Sequence, residues 1–556
     1  SNPFKPKPMR YYNYLYLALI AAFLISCSGN GVDKASQSIT EDGIKEYIAV
    51  LASDDFQGRF PGTLGEEKTI HYLSEQFSSL GLLPGNGDSY FQEVPLMKIT
   101  PETDFTLNIS GKKGSLTLQY GPDFIGGTPT PTEKVNISGS DVIFVGYGIN
   151  APEYQWNDYE GLDVRGKTVV MLVNDPGYAT QDSALFTGNA MTYYGRWVYK
   201  YEEAARQGAA AAILVHETKA ASYPWGVVEN SFKGTKFYLT SDPITKSELL
   251  LQSWITNDNA RKLFQMAGLD FDATTQMAAQ RGFKPIEMKL KASASYSNRV
   301  EYMSSNNVIA LLPGSSRKDE YIIYTAHWDH LGVNPALKGD SIFNGALDNA
   351  SGTAALLEIA KAFKSLGKVQ DRSVLFMSVT CEEQGLLGSH YYAENPIYPL
   401  NKTVAVINMD ALNIFGRTHD MAISGYGYNE LDDYAKAVIE SKGRYIVGDS
   451  RPESGGYYRS DHFSFAKVGV PSINISFGSD NVEHGKEWAE TTLLKWIMDN
   501  YHKPSDNYEP ETWKFDGMVE DVQVYFELGY KLSTTDHFPN WREGTFYKPI
   551  RDAMMK

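Results

Sequence analysis

Five short stretches in the second half of the chain carry histidines and carboxylates, four of them at the ends of apolar runs or at the start of a helix. Tyr324-Thr325-Ala326-His327-Trp328-Asp329 places a His-x-Asp after an apolar run, and Ala346-Leu347-Asp348-Asn349-Ala350-Ser351-Gly352 places Asp348 in a turn entering a helix. Ser378-Val379-Thr380-Cys381-Glu382-Glu383 ends a second run in paired glutamates, and Val406-Ile407-Asn408-Met409-Asp410 ends a third in an aspartate. Late in the chain, Tyr501-His502-Lys503-Pro504-Ser505-Asp506 puts a histidine in a polar loop. Two histidines with three or four carboxylates suit zinc or a similar borderline metal. The supply is enough for two ions that share an aspartate, each keeping a position open for water or substrate. Taken singly, every stretch has a plain structural explanation: a strand-end aspartate caps a turn, a Glu-Glu pair is solvated, and a lone histidine packs. Glu382 and Glu383 differ because they follow directly on Val374–Val379, where ionised carboxylates are costly unless paired or metal-bound.

These groups need elements to bring them together. Helical periodicity covers Thr40–Leu51 and Leu64–Leu80, the second stopped by Gly81-Leu82-Leu83-Pro84-Gly85. From Phe105 to Arg299 the texture is short β-rich runs, among them Asp141–Val145, Thr168–Val173 and Ala211–Val215, interrupted by a helix over Tyr199–Gln207. From Asn307 onward, strands alternate with helices. The strands are Val308–Leu312, Tyr321–Ala326, Ser373–Val379, Val404–Met409, Met421–Ser424 and Ser472–Ser476; the clearest helices are Gly352–Phe363 and Asn429–Ser441. This alternation predicts an α/β fold, a mixed sheet covered by helices on both faces. Functional groups in open sheets gather beyond the carboxyl ends of the strands, where three of the five stretches fall. The organisation read from the chain is a signal-type segment over 1–27, a tether over 28–39, and a first part of the α/β domain over 40–104. An inserted β-rich domain over 105–299 follows, and the α/β domain is completed over 300–556.

The set and its order resemble the M28 family of metallopeptidases. The resemblance rests on His327-x-Asp329, the Asp348-Asn-Ala-Ser-Gly turn, Glu382-Glu383 with Gln384-Gly385-Leu386-Leu387-Gly388-Ser389, Asn408-Met409-Asp410 and His502. Arg459-Ser460-Asp461-His462-Phe463 and Gly469-Val470-Pro471 also look like that family. The successive intervals are 21 residues from His327 to Asp348, 35 to Glu383, 27 to Asp410 and 92 to His502, the last leaving room for extra substrate-facing loops. The resemblance implies a zinc aminopeptidase with two ions per chain. Asp348 would bridge them, His327 and Asp410 would complete one site, and Glu383 and His502 the other. Asp329 would orient the His327 ring, and Glu382 would be the general base. Tyr457, Tyr458, Ser460, Asp461 and His462 would line the substrate pocket. Cys381 stands where the family often has alanine, and is read as a buried small thiol. The inserted part resembles a protease-associated domain, on its texture and on Glu203-Ala204-Ala205-Arg206-Gln207-Gly208-Ala209.

With a net charge of −16, the chain offers no general basic face for nucleic acid. At its start, Lys5, Lys7 and Arg10 precede an apolar run over Tyr11–Ser26 that ends at Cys27. This reads as a secretion signal whose ending resembles a bacterial lipobox, with Met9-Arg10 as its natural start. The expectation is a cell-envelope protein lipid-anchored to the membrane through Cys27, on the periplasmic side or at the surface. Cys381 is the second and last cysteine, so a lipidated Cys27 leaves none for a disulfide. Gly161–Thr168 spells a phosphate loop but precedes a strand, His216-Glu217 lacks a second histidine, and no G-x-S-x-G occurs. His330 and His484 are not assigned by the sequence, and for His462 a loop-packing role stands beside the pocket role. The leading expectation is an aminopeptidase acting on peptides with a free N-terminus. A carboxypeptidase of the same family, a one-zinc glutaminyl cyclase-like enzyme and a silent binding protein are the alternatives.

Overall fold

The computed structural model of the protein describes residues 31–102 and 105–556. Ahead of the main sheet stand α1 (Glu41–Leu51) and α2 (Leu64–Ser79). The hydroxyls of Thr40 and Thr63 accept the amide hydrogens of Gly43 and Gly65, satisfying donors that a helix start leaves free. The principal strands of the main sheet are β1 (Phe91–Pro101), β2 (Ile286–Leu312), β3 (Arg317–His327), β4 (Arg372–Val379), β5 (Thr403–Asn408), β6 (Asp420–Ser424) and β7 (Ser472–Phe477). In space the order is β1-β2-β4-β3-β5-β7-β6. Strands β4, β3, β5 and β7 run parallel, whereas the β1–β2, β2–β4 and β7–β6 pairings are antiparallel, so the sheet is mixed.

Every residue of β4 and β5 is buried, as continuous apolar strands require when helices cover both faces. Helices α3 (Ser351–Lys364) and α5 (Phe515–Thr534) lie on one face, with α4 (Gly485–Asn500) preceding α5 in the chain. Ile322 and Tyr324 pack into the core on that face, and the Tyr324 hydroxyl donates to the Tyr525 carbonyl of α5 at 2.7 Å. A methyl group at Gly529 would overlap that hydroxyl, so only glycine lets the helix approach so closely. On the opposite face Ile323, Leu375 and Met377 pack with Tyr392 and Phe465.

Between β1 and β2 the chain builds a second β-rich body with its own apolar cores. Lys134–Phe144, Thr168–Leu172, Ala211–Val215 and Leu251–Ile255 form a parallel series within it. The first half of β2 pairs with this body and the second half with β1 and β4. The break read between 299 and 300 therefore falls inside one 27-residue strand. No glycine or proline interrupts Ile286–Leu312, so nothing in that stretch turns the chain.

The tether read over 28–39 also differs, because residues 31–37 are helical. Ala35 and Ile39 are buried, and Ser36 donates to Glu527 of α5 at 2.7 Å. The polar composition of this stretch hides two apolar residues at helical spacing that find a seat on the core. Cys27 and the apolar run before it lie outside the described residues. No helix among the described residues is long and apolar enough to cross a membrane.

Candidate metal centre

Strand β3 lies between β4 and β5, and all three run parallel, so their carboxyl ends open on one edge. The register sets His327 beside Val379 and Thr325 beside Asn408. Past the strand ends, the chain delivers His327, Glu382, Glu383 and Asp410 to one place. What separates the two glutamates is a turn rather than strand alternation. Cys381 is left-handed (φ 55°), and the Asp329 carboxylate accepts the Glu382 and Glu383 amides at 3.0 and 3.3 Å. Asp329 meets the His327 ring chiefly through its main-chain carbonyl, 3.1 Å from Nδ1, with the carboxylate 3.6 Å away. That contact assigns the Nδ1 proton and leaves Nε2 free to face the cluster.

Asp348 sits at the focus. Its Oδ1 lies 3.3 Å from His327 Nε2, and its Oδ2 lies 3.2 Å from His502 Nε2. His327 Nε2 is also 3.3 Å from Asp410 Oδ1, and His502 Nε2 is 3.0 Å from Glu383 Oε2. Glu382 stands further back, its Oε2 3.7 Å from His327 Nε2. Ligand atoms about 2.0–2.2 Å from a tetrahedral ion lie roughly 3.3 Å from one another, the spacing seen here. The donor set thus fits two ions with Asp348 between them. Two triplets, His327/Glu382/Asp410 and His330/Asp348/Glu383, each bring their ligand atoms within 4.8 Å of one another. The shorter distances favour Asp348 over Glu382 beside His327, and His502 over His330 beside Asp348.

The backbone around Asp348 is tied down from two sides. Asp506 accepts the amides of Leu347 and Asp348, and Asn349 donates to the Met409 carbonyl at 3.0 Å while accepting the Ala411 amide at 3.0 Å. Asn349 thereby couples the Asp348 turn to the end of β5 that carries Asp410. The buried Arg59 guanidinium donates to the carbonyls of Leu51, Trp328, Asn344 and Gly345, fixing the loops on either side.

Charge is concentrated at this edge. Burial works against charging the His327 ring, but Glu382 and Asp410 overcome it and hold the imidazole well above its usual range. Burial raises the Glu382 carboxyl well above the carboxylate range; His327 opposes this, while Asp410 and Glu383 add to it. For Glu383, burial and Asp348 push upward, but His502 and His330 prevail and set it at about 2.

The residues read as a substrate pocket have mixed placements. Ser460 donates to Asp410 Oδ2 at 2.6 Å and accepts from Asn408 at 2.7 Å, so it supports the cluster. Asp461 is buried and accepts from Ser389 at 2.6 Å, and burial lifts its carboxyl to about 7. His462 is buried too, its pKa pushed down to about 3 by burial. Tyr457 packs against His462, and Tyr458 donates to the Met191 carbonyl of the inserted body at 3.1 Å. Tyr501 stacks its ring on His502 at 3.9 Å and 21°. Its position beside His502 in sequence is the signal that could have found it; Arg59 carries no such signal. Helix α4 lies in the long interval before His502 and buries only Ala489.

The mixed α/β sheet thus carries, at its carboxyl edge, a histidine–carboxylate cluster whose spacing fits two metal ions. Residues 307–527 match the model of Peptidase family M28. Aminopeptidase YwaD of Bacillus subtilis (strain 168) is 30% identical over 245 residues, covering 43% of this chain and 45% of that protein. The Probable glutamate carboxypeptidase AMP1 of Arabidopsis thaliana is 24% identical over 455 residues, covering 75% of this chain and 59% of that protein. The chain thus spans about half the length of these curated relatives. The solved structure of the aminopeptidase from Aneurinibacillus sp. strain AM-1 superposes with a TM-score of 0.52 at 19% identity, covering 91% of this chain and 97% of that one, a likeness of fold.

Proposed function

We propose that this protein is a two-zinc aminopeptidase that removes N-terminal residues from peptides with a free α-amino group. One observation carries the reading: Asp348 turns one carboxylate oxygen to His327 and the other to His502, as a shared ligand would. His327 and Asp410 would hold one zinc, and Glu383 and His502 the other. Bound zinc supplies a Lewis acid for the scissile carbonyl and makes water a competent nucleophile near neutral pH. Glu382, set back from the ligand atoms, takes the proton of the attacking water on its carboxylate and delivers it to the leaving amine. A carboxyl raised by burial and by its acidic neighbours suits a group that must accept a proton and release it again. Ser460 holds Asp410, and Asp506 with Asn349 holds Asp348. The name of the Bacillus subtilis relative supports the N-terminal choice.

A carboxypeptidase is the second reading, because the relative so named matches over 75% of the chain. Aminoacyl-p-nitroanilides test the choice directly. Cleavage by wild type, with Glu382→Ala keeping about two zinc ions but losing roughly a hundredfold or more in rate, is the expected result. Two zinc ions without cleavage of any free-amino substrate would sink the aminopeptidase reading and leave the metal reading standing.

The inserted body reads as a protease-associated domain that restricts access to short or unfolded peptides. Its Met191 amide donates to the Pro452 carbonyl at 3.2 Å, and the Tyr193 ring lies 5.1 Å from Phe463, close to the chain that carries Ser460. Equal cleavage of a peptide free and embedded in a folded protein would count against this role. A lipid anchor on Cys27 and a place in the bacterial cell envelope belong to the same reading. Labelled fatty acid incorporated into wild type and absent from Cys27→Ser is the expected check.

A further inference from the structure

Within the stretch His327-Trp328-Asp329-His330, the first and third residues serve the cluster. His327 faces Asp348 and Asp410, and Asp329 holds the amides of Glu382 and Glu383. His330 has no part in that scheme, yet its ring is completely buried. Its Nδ1 lies 2.8 Å from Glu383 Oε1, somewhat off the line of an ideal hydrogen bond. Neither ring nitrogen has another partner among the described residues, and Glu383 Oε1 has none either. The other oxygen of Glu383 faces His502 at 3.0 Å.

We infer that His330 is the positioning residue that fixes Glu383 for the second metal ion, an inference that rests on the reading of Glu383 as a ligand. A carboxylate that offers one oxygen to an ion can still rotate about its last bond. A donor on the second oxygen removes that freedom and orients the ligand oxygen, the usual work of a group behind a metal ligand. The site is built to keep the ring in place. A methyl group on Gly345 (φ 53°) would overlap both the His330 ring and the Asp348 carbonyl. The His330 amide donates to the Arg59 carbonyl at 3.2 Å, while the Arg59 guanidinium ties down Trp328, Asn344 and Gly345. Burying an imidazole with a single polar partner is unfavourable compared with an apolar side chain of similar size, so packing alone does not account for it. His330 also lies within ligand distance of Asp348 and Glu383. It approaches Glu383 on the oxygen that His502 leaves free, which places it behind the ligand rather than beside it.

The test uses the full chain and zinc itself, read by competition with a chromophoric chelator. His330→Asn keeps an N–H near the Nδ1 position, His330→Gln moves it to the far side of the ring, and His330→Leu removes it. Wild type and His330→Asn should take up two ions with similar affinity. His330→Leu and His330→Gln should bind the second ion roughly 10–100-fold more weakly and the first unchanged. Unfolding curves of the metal-free proteins separate this effect from loss of fold. If His330→Leu fails to fold, the Asn–Gln comparison still decides. Equal second-ion affinity in all the variants would overturn the role of His330 alone. A wild type that binds only one ion would remove the two-ion reading itself, and His330 with it.

Discussion

Asp506 holds Asp348 from behind: its two carboxylate oxygens accept the amide hydrogens of Leu347 at 2.9 Å and Asp348 at 3.1 Å. Asp348, the proposed shared ligand, thus owes its orientation to a residue 158 positions later. Asp506 is itself buried, and burial raises its carboxyl to about 6. Asp506→Ala would leave two buried amides without partners, at about 1–3 kcal/mol each. Urea unfolding should show a loss of about 2–6 kcal/mol, and zinc affinity should fall at least tenfold. A variant with wild-type zinc affinity would show that the turn holds itself.

The adjacent glutamates should separate cleanly. Glu382→Gln is expected to keep two zinc ions and lose on the order of 10²–10⁴-fold in kcat. Glu383→Gln is expected to lose one ion first and activity as a consequence, so excess zinc should partly restore it. The measurement pairs zinc content with turnover at two zinc concentrations. Restoration of Glu382→Gln by zinc would reverse the assignment.

Removing metal should destabilise the whole α/β body. Ions held by this cluster bind the folded chain and not the unfolded one, so they stabilise the fold by mass action. Zinc at a hundred times its Kd should add about 2.7 kcal/mol per site. Tm should therefore fall after chelation and recover with added zinc but not with added magnesium, which suits oxygen-rich octahedral sites. A Tm unmoved by chelation would argue against any tightly held ion.

Asp432 gives a pH dependence away from the metal. It is buried and accepts the Gly427 amide at 2.6 Å, and burial raises its carboxyl from 3.8 to about 6. The folded protein therefore holds this proton more tightly than the unfolded chain. The stability it contributes is present below the unfolded pKa and is lost as pH rises through about 6. Asp432→Asn escapes that loss, so it should be more stable than wild type by of order 2 kcal/mol at pH 7.5 and indistinguishable near pH 3.5. An identical difference at both pH values would mean that the amide changes packing rather than ionisation.

Much of the sheet was legible because its strands are continuous apolar runs: Ala211–Val215 is observed over the predicted residues, and Ser373–Val379 extends by one, to Arg372. The less regular pieces were not. Leu64, the first residue of α2, is largely exposed although it shares a helical period with the buried Ile70, Leu73 and Phe77. β2 could not be read as one strand joining two bodies, since a sequence shows alternation but not the partners that change along it.

By itself the sequence determined which chemistry was available: a carboxylate or histidine after each of several buried strands, in an order that resembles one peptidase family. These are local facts, set by which residues follow an apolar run. The tertiary structure alone decided how those groups divide the work. It set Asp348 between two histidines, turned Asp329 toward the glutamate amides, and brought Arg59, His330 and Asp506 in from distant parts of the chain. The physical reason is that a ligand's direction depends on hydrogen bonds to its backbone and to its second oxygen. Those bonds come from residues with no sequence proximity to the ligand they hold.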